Sequence, residues 1–260
     1  MEEALTMARL AAADGTGTIV ATPHALHSRF RPEQEAVAEA FNRLSAALAE
    51  NRIPLRLQQA AEVSFAPDLR TQLEAHPELT VNGQGRYVLT ELPFVGYPTY
   101  VTEVCFDLLL HGIVPIIAHP ERSQHLQQHP HLLYELVAQG VMVQVNAGSL
   151  LGQFGPEAEA AARLFVRHRM VHLLGSDAHN SQKRPPVLQE AASVVAELGG
   201  EELARNVTVL WPGDILAGIY VQVAEPIPIK YHGPIRSSGR PVGLWQRIKA
   251  RWGANASSGG

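Results

Sequence analysis

A set of histidines and acidic residues recurs at regular intervals along the 260-residue chain. With one asparagine among them, the set consists of His24, Glu62, Glu91, His119, Asn146, Asp177 and His179. From His24 to Asp177 the intervals are 38, 29, 28, 27 and 31 residues, each close to the length of one βα unit. Histidine and carboxylate ligands without cysteine favour hard or borderline cations such as Mn, Mg, Fe or Zn, and a carboxylate can bridge two ions. The set therefore predicts a multinuclear metal site, in which Asn146 braces a loop and does not bind metal.

Two arginines stand close to members of this set. Arg122 follows His119 by three residues, and Arg184 follows His179 in the same segment. A guanidinium can hold phosphate oxygens with two hydrogen bonds, and a metal cluster can polarise a phosphoryl oxygen and generate hydroxide near neutral pH. The combination predicts hydrolysis of a phosphate ester. Two alternatives stay open: Arg122 pairs with Glu121 at the surface, or Arg184 only precedes the next helix.

These side chains must be positioned by secondary structure, and short apolar runs supply six strand candidates. They cover residues 18–23, 54–60, 86–92, 114–119, 141–146 and 170–175. Helical patterns cover residues 129–139, 157–168 and 187–198, and Pro32 opens a helix with Val37, Phe41, Leu44 and Leu48 on one face. Strands that alternate with helices predict an α/β fold with parallel strands. Because polar residues follow nearly every strand, a barrel with its site at one rim is favoured over an open sheet.

The composition limits the classes of protein to which the chain can belong. Hydrophobic residues make up 46% of it, enough for one large core, and the formal net charge of -4 gives no general reason to expect a nucleic-acid partner. The first residues are acidic where a signal peptide is basic, and no apolar run is long enough to span a bilayer. A single cysteine cannot form an internal disulfide, so we expect a cytoplasmic protein.

That cysteine, Cys105, is also the candidate nucleophile for a thiol-dependent phosphatase. Such enzymes need an arginine at the position that His111 occupies here. The surrounding residues form an apolar helical run, so Cys105 is interpreted as a small core residue. The chain also lacks the glycine-rich phosphate loops of nucleotide-binding proteins, and no nucleotide cofactor is expected.

Six segments of the chain, in order, carry a resemblance to a known family. They are VATPH (20–24), AAEV (60–63), TELP (90–93), IAHPER (117–122), QVNAGSLLGQFG (144–155) and GSDAHNSQKRPP (175–186). Together they resemble the PHP-type protein-tyrosine phosphatases of capsule and exopolysaccharide operons, over about residues 1 to 220. The resemblance implies a PHP-type distorted (β/α)7 barrel with a trinuclear site that usually holds manganese.

The same resemblance implies a role for each matching residue. Metal ligands would be His24, Glu62, Glu91, His119, Asp177 and His179, and the catalytic residues would be Arg122 and Arg184 at the phosphate, together with His179. The implied cofactor is Mn or another divalent metal such as Mg, Fe or Zn. The implied substrate is phosphotyrosine on a membrane-bound tyrosine kinase that controls polysaccharide synthesis. A histidinol-phosphatase-like enzyme and an inactive scaffold that binds the kinase are the alternatives.

The chain departs from the family at its start. The family begins with a strand that carries a His-x-His pair and an acidic turn, and neither precedes the first helix of this chain. We therefore expect Met1 to be an internal or misassigned start, and the catalytic domain, residues 1–222, to lack its first strand. Without those ligands, metal binding and turnover are expected to be weak.

A Pro/Gly-rich tail, residues 223–260, is predicted to be disordered. Between residues 226 and 260 the chain has six basic residues and no acidic residue. A weak contact of this tail with anionic membrane is the hypothesis that follows. A homo-oligomer is a further hypothesis for the chain.

Overall fold

The computed structural model describes residues 1–26 and 32–229. Short strands alternate with helices along this part of the chain. The strands are β1 (Thr18–Ala21), β2 (His24–Ala25), β3 (Arg56–Gln59), β4 (Glu62–Ser64), β5 (Tyr87–Glu91), β6 (Val114–Ala118), β7 (Met142–Asn146) and β8 (Leu173–Gly175). The alternation confirms the predicted α/β fold.

The helices lie between and after these strands. They are α1 (Glu2–Ala13), α2 (Gln34–Glu50), α3 (Leu69–Ala75), α4 (Val101–Leu110), α5 (Gln124–Gln128), α6 (Pro130–Ala138), α7 (Ala147–Leu150), α8 (Pro156–Arg167), α9 (Gln189–Gly199), α10 (Glu201–Arg205) and α11 (Trp211–Leu216). Single 3-10 turns cover Pro77–Leu79, Val81–Gly83 and Pro120–Arg122, and a π-helical turn covers Asn206–Leu210. The predicted helices correspond to α2, α6, α8 and α9. Every helix in the described residues is too short or too polar to span a bilayer.

All the strands run parallel and follow the order of the sequence. Six of them pair as β2-β4-β5-β6-β7-β8, and β1 pairs with β3. The pairs β1–β3 and β2–β4 share a register offset of 38 residues, because Thr18 faces Arg56 and His24 faces Glu62. These pairs are therefore two stretches of a single ladder. Within residues 1–26 and 32–229 the outer strands are not paired with each other, and closure of the sheet into a barrel stays a prediction.

The first two predicted strands correspond to β1 and β3, and each is followed after a short break by a second strand, β2 or β4, that lies beyond the predicted range. Pro23 lies between β1 and β2 and has no N–H to donate to a neighbouring strand. Ladder bonds continue on either side, since the Ala60 N–H donates to the Ala21 carbonyl and the Glu62 N–H donates to the Pro23 carbonyl, both at 3.0 Å. The split therefore interrupts the ladder without shifting its register.

Apolar side chains form two clusters. The larger brings together the parallel strands and most of the helices. The smaller joins α1, α2 and the β1–β3 pair, and its buried members are Leu5, Ala8, Ala11, Leu48 and Leu55. On α2, Leu48 is buried and the other members of the predicted face, Val37, Phe41 and Leu44, are partly buried. The 3.6-residue pattern of that helix is therefore confirmed.

Two acidic residues, Glu3 in α1 and Asp14 directly after it, accept hydrogen bonds from backbone N–H groups of the segment that follows β8. Oδ2 of Asp14 accepts hydrogen bonds from the N–H groups of Leu188 at 2.6 Å and Gln189 at 3.1 Å, and so caps the start of α9. Oε1 of Glu3 accepts the Ser181 N–H at 2.7 Å. The first helix thereby fixes both the middle and the end of a loop that carries several predicted site residues.

An irregular segment after α11 runs against the start of the sheet. The Tyr87 hydroxyl donates to the Ile219 carbonyl at 2.7 Å and accepts the Val221 N–H at 3.0 Å. Partly buried side chains at Val223 and Ile229 also pack against the larger cluster. The first seven residues of the predicted tail thus lie on the domain. The rest of that tail, with its basic residues and the membrane hypothesis, lies outside the described residues.

A buried histidine makes the stability of this fold depend on pH. His172, directly before β8, is 1% exposed, and its Nδ1 accepts the Val143 N–H at 3.0 Å. Burial lowers the pKa of His172 from 6.5 to about 4. As the pH falls below 6.5, the unfolded chain binds a proton that the folded chain does not. Unfolding therefore becomes more favourable until the pH reaches the folded pKa.

We expect the substitution His172→Asn, which keeps an acceptor near the position of Nδ1, to reduce this loss. Urea unfolding at neutral pH and at about pH 4.5 should show that the wild-type chain loses about 2 kcal/mol more stability than the variant. Other titrating groups are common to both proteins and cancel in the comparison. Equal losses would show that burial does not keep His172 neutral.

Candidate metal and phosphate site

Four of the predicted metal ligands lie together at the carboxyl-terminal end of the sheet. His24 and Glu62 are register partners on β2 and β4, Glu91 is the last residue of β5, and His119 directly follows β6. The backbone of His119 is left-handed, with φ of 33°, and turns the chain out of the strand into a 3-10 turn. Parallel strands in register thus deliver one side chain each to the same edge.

The side chains of these residues are in direct contact. Nδ1 of His24 lies 3.1 Å from Oε2 of Glu62, and Nε2 of His119 lies 3.0 Å from Oε1 of the same carboxylate. Nε2 of His119 is also 3.5 Å from Oε1 of Glu91. Glu62 therefore stands at the centre of the group, with one oxygen toward each histidine.

The carboxylates act electrostatically on His119. Its side chain is 4% exposed, and burial alone opposes protonation of the ring. The hydrogen bond to Glu62 and the negative charges of Glu62, Glu121 and Glu91 outweigh that burial, so the pKa of His119 is raised. The surroundings of this ring therefore stabilise positive charge, which is the electrostatic condition for a cation site.

The donor set fits a divalent cation. Ligand atoms of His24, Glu62 and Glu91 all lie within 4.8 Å of one another, and this is the one such group of three metal-ligating residue types in the described part of the chain. The side chains of Glu62 and Glu91 are only 10% and 14% exposed. Shielded carboxylates that face the same histidine are costly without positive charge between them. Carboxylate and imidazole together suit Mn, Mg, Fe or Zn.

A second group of predicted residues is built around Asp177, whose backbone is left-handed with φ of 49°. Its Oδ2 accepts a hydrogen bond from Nη1 of Arg122 at 3.1 Å and one from Nδ2 of Asn146 at 2.8 Å. The same oxygen accepts a hydrogen bond from Nη2 of Arg184. Both guanidiniums therefore reach a single anionic oxygen, which is what two arginines must do to share one phosphate.

His179 lies on the loop that follows Asp177. Its Nδ1 is 2.9 Å from the Asp177 carbonyl oxygen, and its side chain is 53% exposed. The His179 N–H donates to the Arg184 carbonyl at 3.0 Å, so the loop folds back and brings Arg184 to Asp177. The contact at Nδ1 leaves Nε2 as the nitrogen that can bind a metal.

Asn146 braces Asp177, as its position in the sequence predicts. Its Oδ1 accepts a hydrogen bond from Nε2 of Gln144 at 2.8 Å, and its Nδ2 is the donor to Asp177. The glutamine fixes which end of the amide faces the carboxylate. Asn146 is therefore a hydrogen-bond donor within the site.

The predicted residues thus fall into two groups that the sequence did not distinguish. The first contains His24, Glu62, Glu91 and His119, and the second contains Asp177, His179, Arg122 and Arg184. One short turn joins them, because His119 begins it and Arg122 ends it.

Glu121, inside this turn, is a residue that sequence-based reasoning missed. It is fully buried, and its Oε1 accepts hydrogen bonds from Oγ of Ser149 at 2.6 Å and from the Asn146 N–H at 3.1 Å. Burial raises the pKa of the Glu121 carboxyl. The surface pair of Arg122 with Glu121, left open as an alternative, is therefore wrong. Glutamate is rarely fully buried, so the sequence gives no signal for this role.

Two phenylalanines around Arg122 were also missed. Cζ of Arg122 is 4.8 Å from the ring centroid of Phe94 and 4.4 Å from that of Phe154. The ring of Phe94 also stacks on His119, with centroids 5.6 Å apart. The aromatic rings therefore join the two groups. The one available signal is that Phe154 lies in a segment that resembles the family.

Comparisons with known proteins identify relatives along most of the chain. A family model described as "Capsular polysaccharide synthesis, CpsB/CapC" matches residues 1–217. The tyrosine-protein phosphatase YwqE of Bacillus subtilis is 36% identical over 206 residues, which are 79% of this chain and 81% of YwqE. The putative tyrosine-protein phosphatase CapC of Staphylococcus aureus is 31% identical over 190 residues, which are 73% of this chain and 74% of CapC.

A solved structure shares this arrangement of strands and helices over most of the chain. It comes from a crystallographic study of YwqE from Bacillus subtilis and CpsB from Streptococcus pneumoniae, which describes them as unique metal-dependent tyrosine phosphatases. The TM-score is 0.80 at 34% sequence identity, and the match covers 86% of this chain and 90% of the other. The fold is therefore the one that the family resemblance implies.

Proposed function

The chain belongs to the CpsB/CapC family of capsular polysaccharide synthesis, and from that membership we propose that it is a metal-dependent protein-tyrosine phosphatase. One observation carries the proposal. Glu62 and Glu91 of the compact group with His24 contact His119, which begins the short turn to Arg122, and Arg122 and Arg184 converge on a single anionic oxygen. A hard cation beside two guanidiniums is suited to a phosphate ester. The relatives named tyrosine-protein phosphatases suggest the class of ester.

Six side chains would hold a multinuclear metal cluster, namely His24, Glu62, Glu91, His119, Asp177 and His179. Manganese is our first candidate, and Mg, Fe and Zn are the alternatives, because the donors are carboxylate oxygens and imidazole nitrogens. When bound, such ions supply Lewis-acid polarisation of phosphoryl oxygens and lower the pKa of water.

Arg122 and Arg184 would bind the phosphoryl oxygens and stabilise the negative charge that develops on them in the transition state. Support comes from Asp177, on whose Oδ2 both guanidiniums already converge. Asn146 donates to the same oxygen and would hold that carboxylate in place while the arginines bind the substrate. The ring of His179 is the most open of the predicted ligands and would stand at the side where substrate enters.

The protein substrate that we propose is a tyrosine kinase of capsule or exopolysaccharide synthesis, and its dephosphorylation would regulate polysaccharide production. The family resemblance implies a membrane-bound kinase, so a cytoplasmic phosphatase would meet it at the membrane surface. Contact of the basic tail with anionic lipid would favour that encounter. Cytoplasmic location, lipid contact and self-association all stay predictions.

Hydrolysis of a phosphotyrosine peptide, compared with histidinol phosphate, tests the substrate class. In Mn²⁺ we expect the peptide to be hydrolysed about tenfold faster or more, because the two substrates differ in leaving group and shape. EDTA should abolish the reaction. Preference for histidinol phosphate would favour the other class of PHP enzyme. A metal-loaded chain that binds the kinase and releases no phosphate would favour the scaffold.

Thiol alkylation should leave the activity intact. Cys105 is fully buried on α4, and burial raises the pKa of its thiol to about 12, so the thiol stays protonated near neutral pH. Iodoacetamide should therefore change phosphate release by less than about twofold, whereas EDTA should remove it. Complete inactivation by iodoacetamide together with full activity in EDTA would contradict the metal-based assignment.

A further inference from the structure

One aromatic ring lies beneath both arginines of the site. Cζ of Arg122 is 4.4 Å from the ring centroid of Phe154, and Cζ of Arg184 is 5.5 Å from the same centroid. Both distances fall within the range of about 6 Å over which an aromatic face attracts a cation. Phe154 is thus a shared support for two guanidiniums that also share Oδ2 of Asp177.

Arg184 keeps an unused donor in this position. Its Nε is buried and has no hydrogen-bond partner among the described residues, while Nη2 donates to Asp177. Guanidinium N–H groups lie in one plane, so a ring beneath that plane attracts the charge without occupying a donor. A buried donor without a partner is costly, and an incoming phosphate oxygen would satisfy it.

The ring of Phe154 can lie there because residue 148 has no side chain. A Cβ at Gly148 would be 2.8 Å from Cε2 of Phe154 and 2.8 Å from Oε1 of Gln153. The end of the glutamine side chain can move away, whereas the ring is held against the arginines. Gly148 lies in α7, directly after the strand end that carries Asn146. The glycine that leaves space for the ring therefore lies only two residues after Asn146, which contacts Asp177 in the site.

We propose that Phe154 is a positioning residue that holds Arg122 and Arg184 in one shared phosphate-binding orientation, and that Gly148 makes room for its ring. This inference rests on the proposed function, since it takes both arginines as phosphate ligands. A carboxylate in place of the ring would compete with phosphate for the guanidinium donors. An aromatic face orients the same groups and leaves their donors free.

Binding of inorganic phosphate to the manganese-loaded full chain, measured by calorimetry, tests the proposal. Phe154→Leu keeps an apolar side chain but removes the aromatic face, and it should weaken phosphate binding about tenfold. Phe154→Tyr keeps the ring and should remain within about twofold of the wild type. Gln153→Ala, at the adjacent exposed position, is the control and should have no effect. Bound manganese should be unchanged in all three variants.

A double-mutant cycle tests the role of Gly148. Gly148→Ala should weaken phosphate binding by a similar factor, because its Cβ would displace the ring. In the Phe154→Leu background the same substitution should have little further effect, since the residues act through one contact. Full additivity would separate Gly148 from the positioning role.

Three results with the variants would overturn the role of Phe154. The first is wild-type phosphate affinity in Phe154→Leu, and the second is a loss in Phe154→Tyr as large as that in Phe154→Leu. The third is parallel loss of manganese and phosphate, which would mark a general structural role. Failure of the proposed function can be distinguished from failure of this inference. A chain that binds phosphate through Phe154 but hydrolyses no phosphotyrosine peptide would contradict the phosphatase assignment and leave the role of Phe154 intact. A wild-type chain that binds no phosphate would overturn the positioning role as well.

Discussion

Replacing Glu62 with glutamine should reduce hydrolysis of a phosphotyrosine peptide by about a thousandfold. Glu62 offers one oxygen to His24 and the other to His119, and its side chain is 10% exposed. Glutamine keeps the shape of the side chain but loses its charge and exchanges one acceptor oxygen for an NH2 donor, which cannot bind a cation. Losing the central ligand removes several kcal/mol of charge stabilisation, and a thousandfold change in rate corresponds to about 4 kcal/mol.

Bound manganese and kcat/KM should be measured on the same preparation. Glu78→Gln is the matched control, because Glu78 also contacts a histidine, His76, at 3.1 Å, but its side chain is 44% exposed. The control should keep both metal and activity. Full metal content and full activity in Glu62→Gln would show that Glu62 is not a ligand.

Replacing Arg184 with alanine should lower kcat/KM by about tenfold to a hundredfold and leave bound metal nearly unchanged. A hydrogen bond to a charged group contributes about 1.5–3 kcal/mol, and the guanidinium of Arg184 is placed to make such bonds with phosphate. A guanidinium carries only donors and cannot act as a metal ligand. Asp177 keeps two of its three donors in this variant, Arg122 and Asn146, so its carboxylate should stay in position.

The control for this prediction is Arg163→Ala. Its side chain is 29% exposed, close to the 25% of Arg184, and it also donates to a carboxylate, that of Glu159 at 2.8 Å. It lies on α8, outside the proposed site, and its loss should leave kcat/KM unchanged. If Arg184→Ala lost metal and kept its affinity for phosphate, its assignment as a phosphate ligand would be wrong.

The edge of the sheet at which the polar residues meet could be predicted from their spacing. A residue that follows each parallel strand must reach the same rim when the strands are in register, and His24 and Glu62 are in fact register partners. The helices α6, α8 and α9 followed from their 3.6-residue patterns. These features were predictable because they depend only on local sequence and on the rule that parallel strands in register end at the same rim.

Side-chain directions within the site could not be predicted in the same way. Glu121 turns inward to the Asn146 N–H, and Phe154 reaches Arg122, across 25 and 32 residues of sequence. Such contacts depend on how loops from neighbouring strands pack, and periodicity carries no information about them. A break at Pro23 could have been predicted, since a proline has no N–H to donate to a neighbouring strand. That the two strands keep the same register on both sides of the break could not.

Titration of the metal-depleted full chain with Mn²⁺ tests whether hydrolysis depends on a multinuclear metal site, when bound metal and phosphate release from a phosphotyrosine peptide are followed in the same samples. We expect phosphate release to be near the background without metal, to rise with bound manganese, and to reach its plateau only when more than one ion is bound per chain. Equal hydrolysis of the peptide in the metal-depleted and the metal-loaded chain would contradict it.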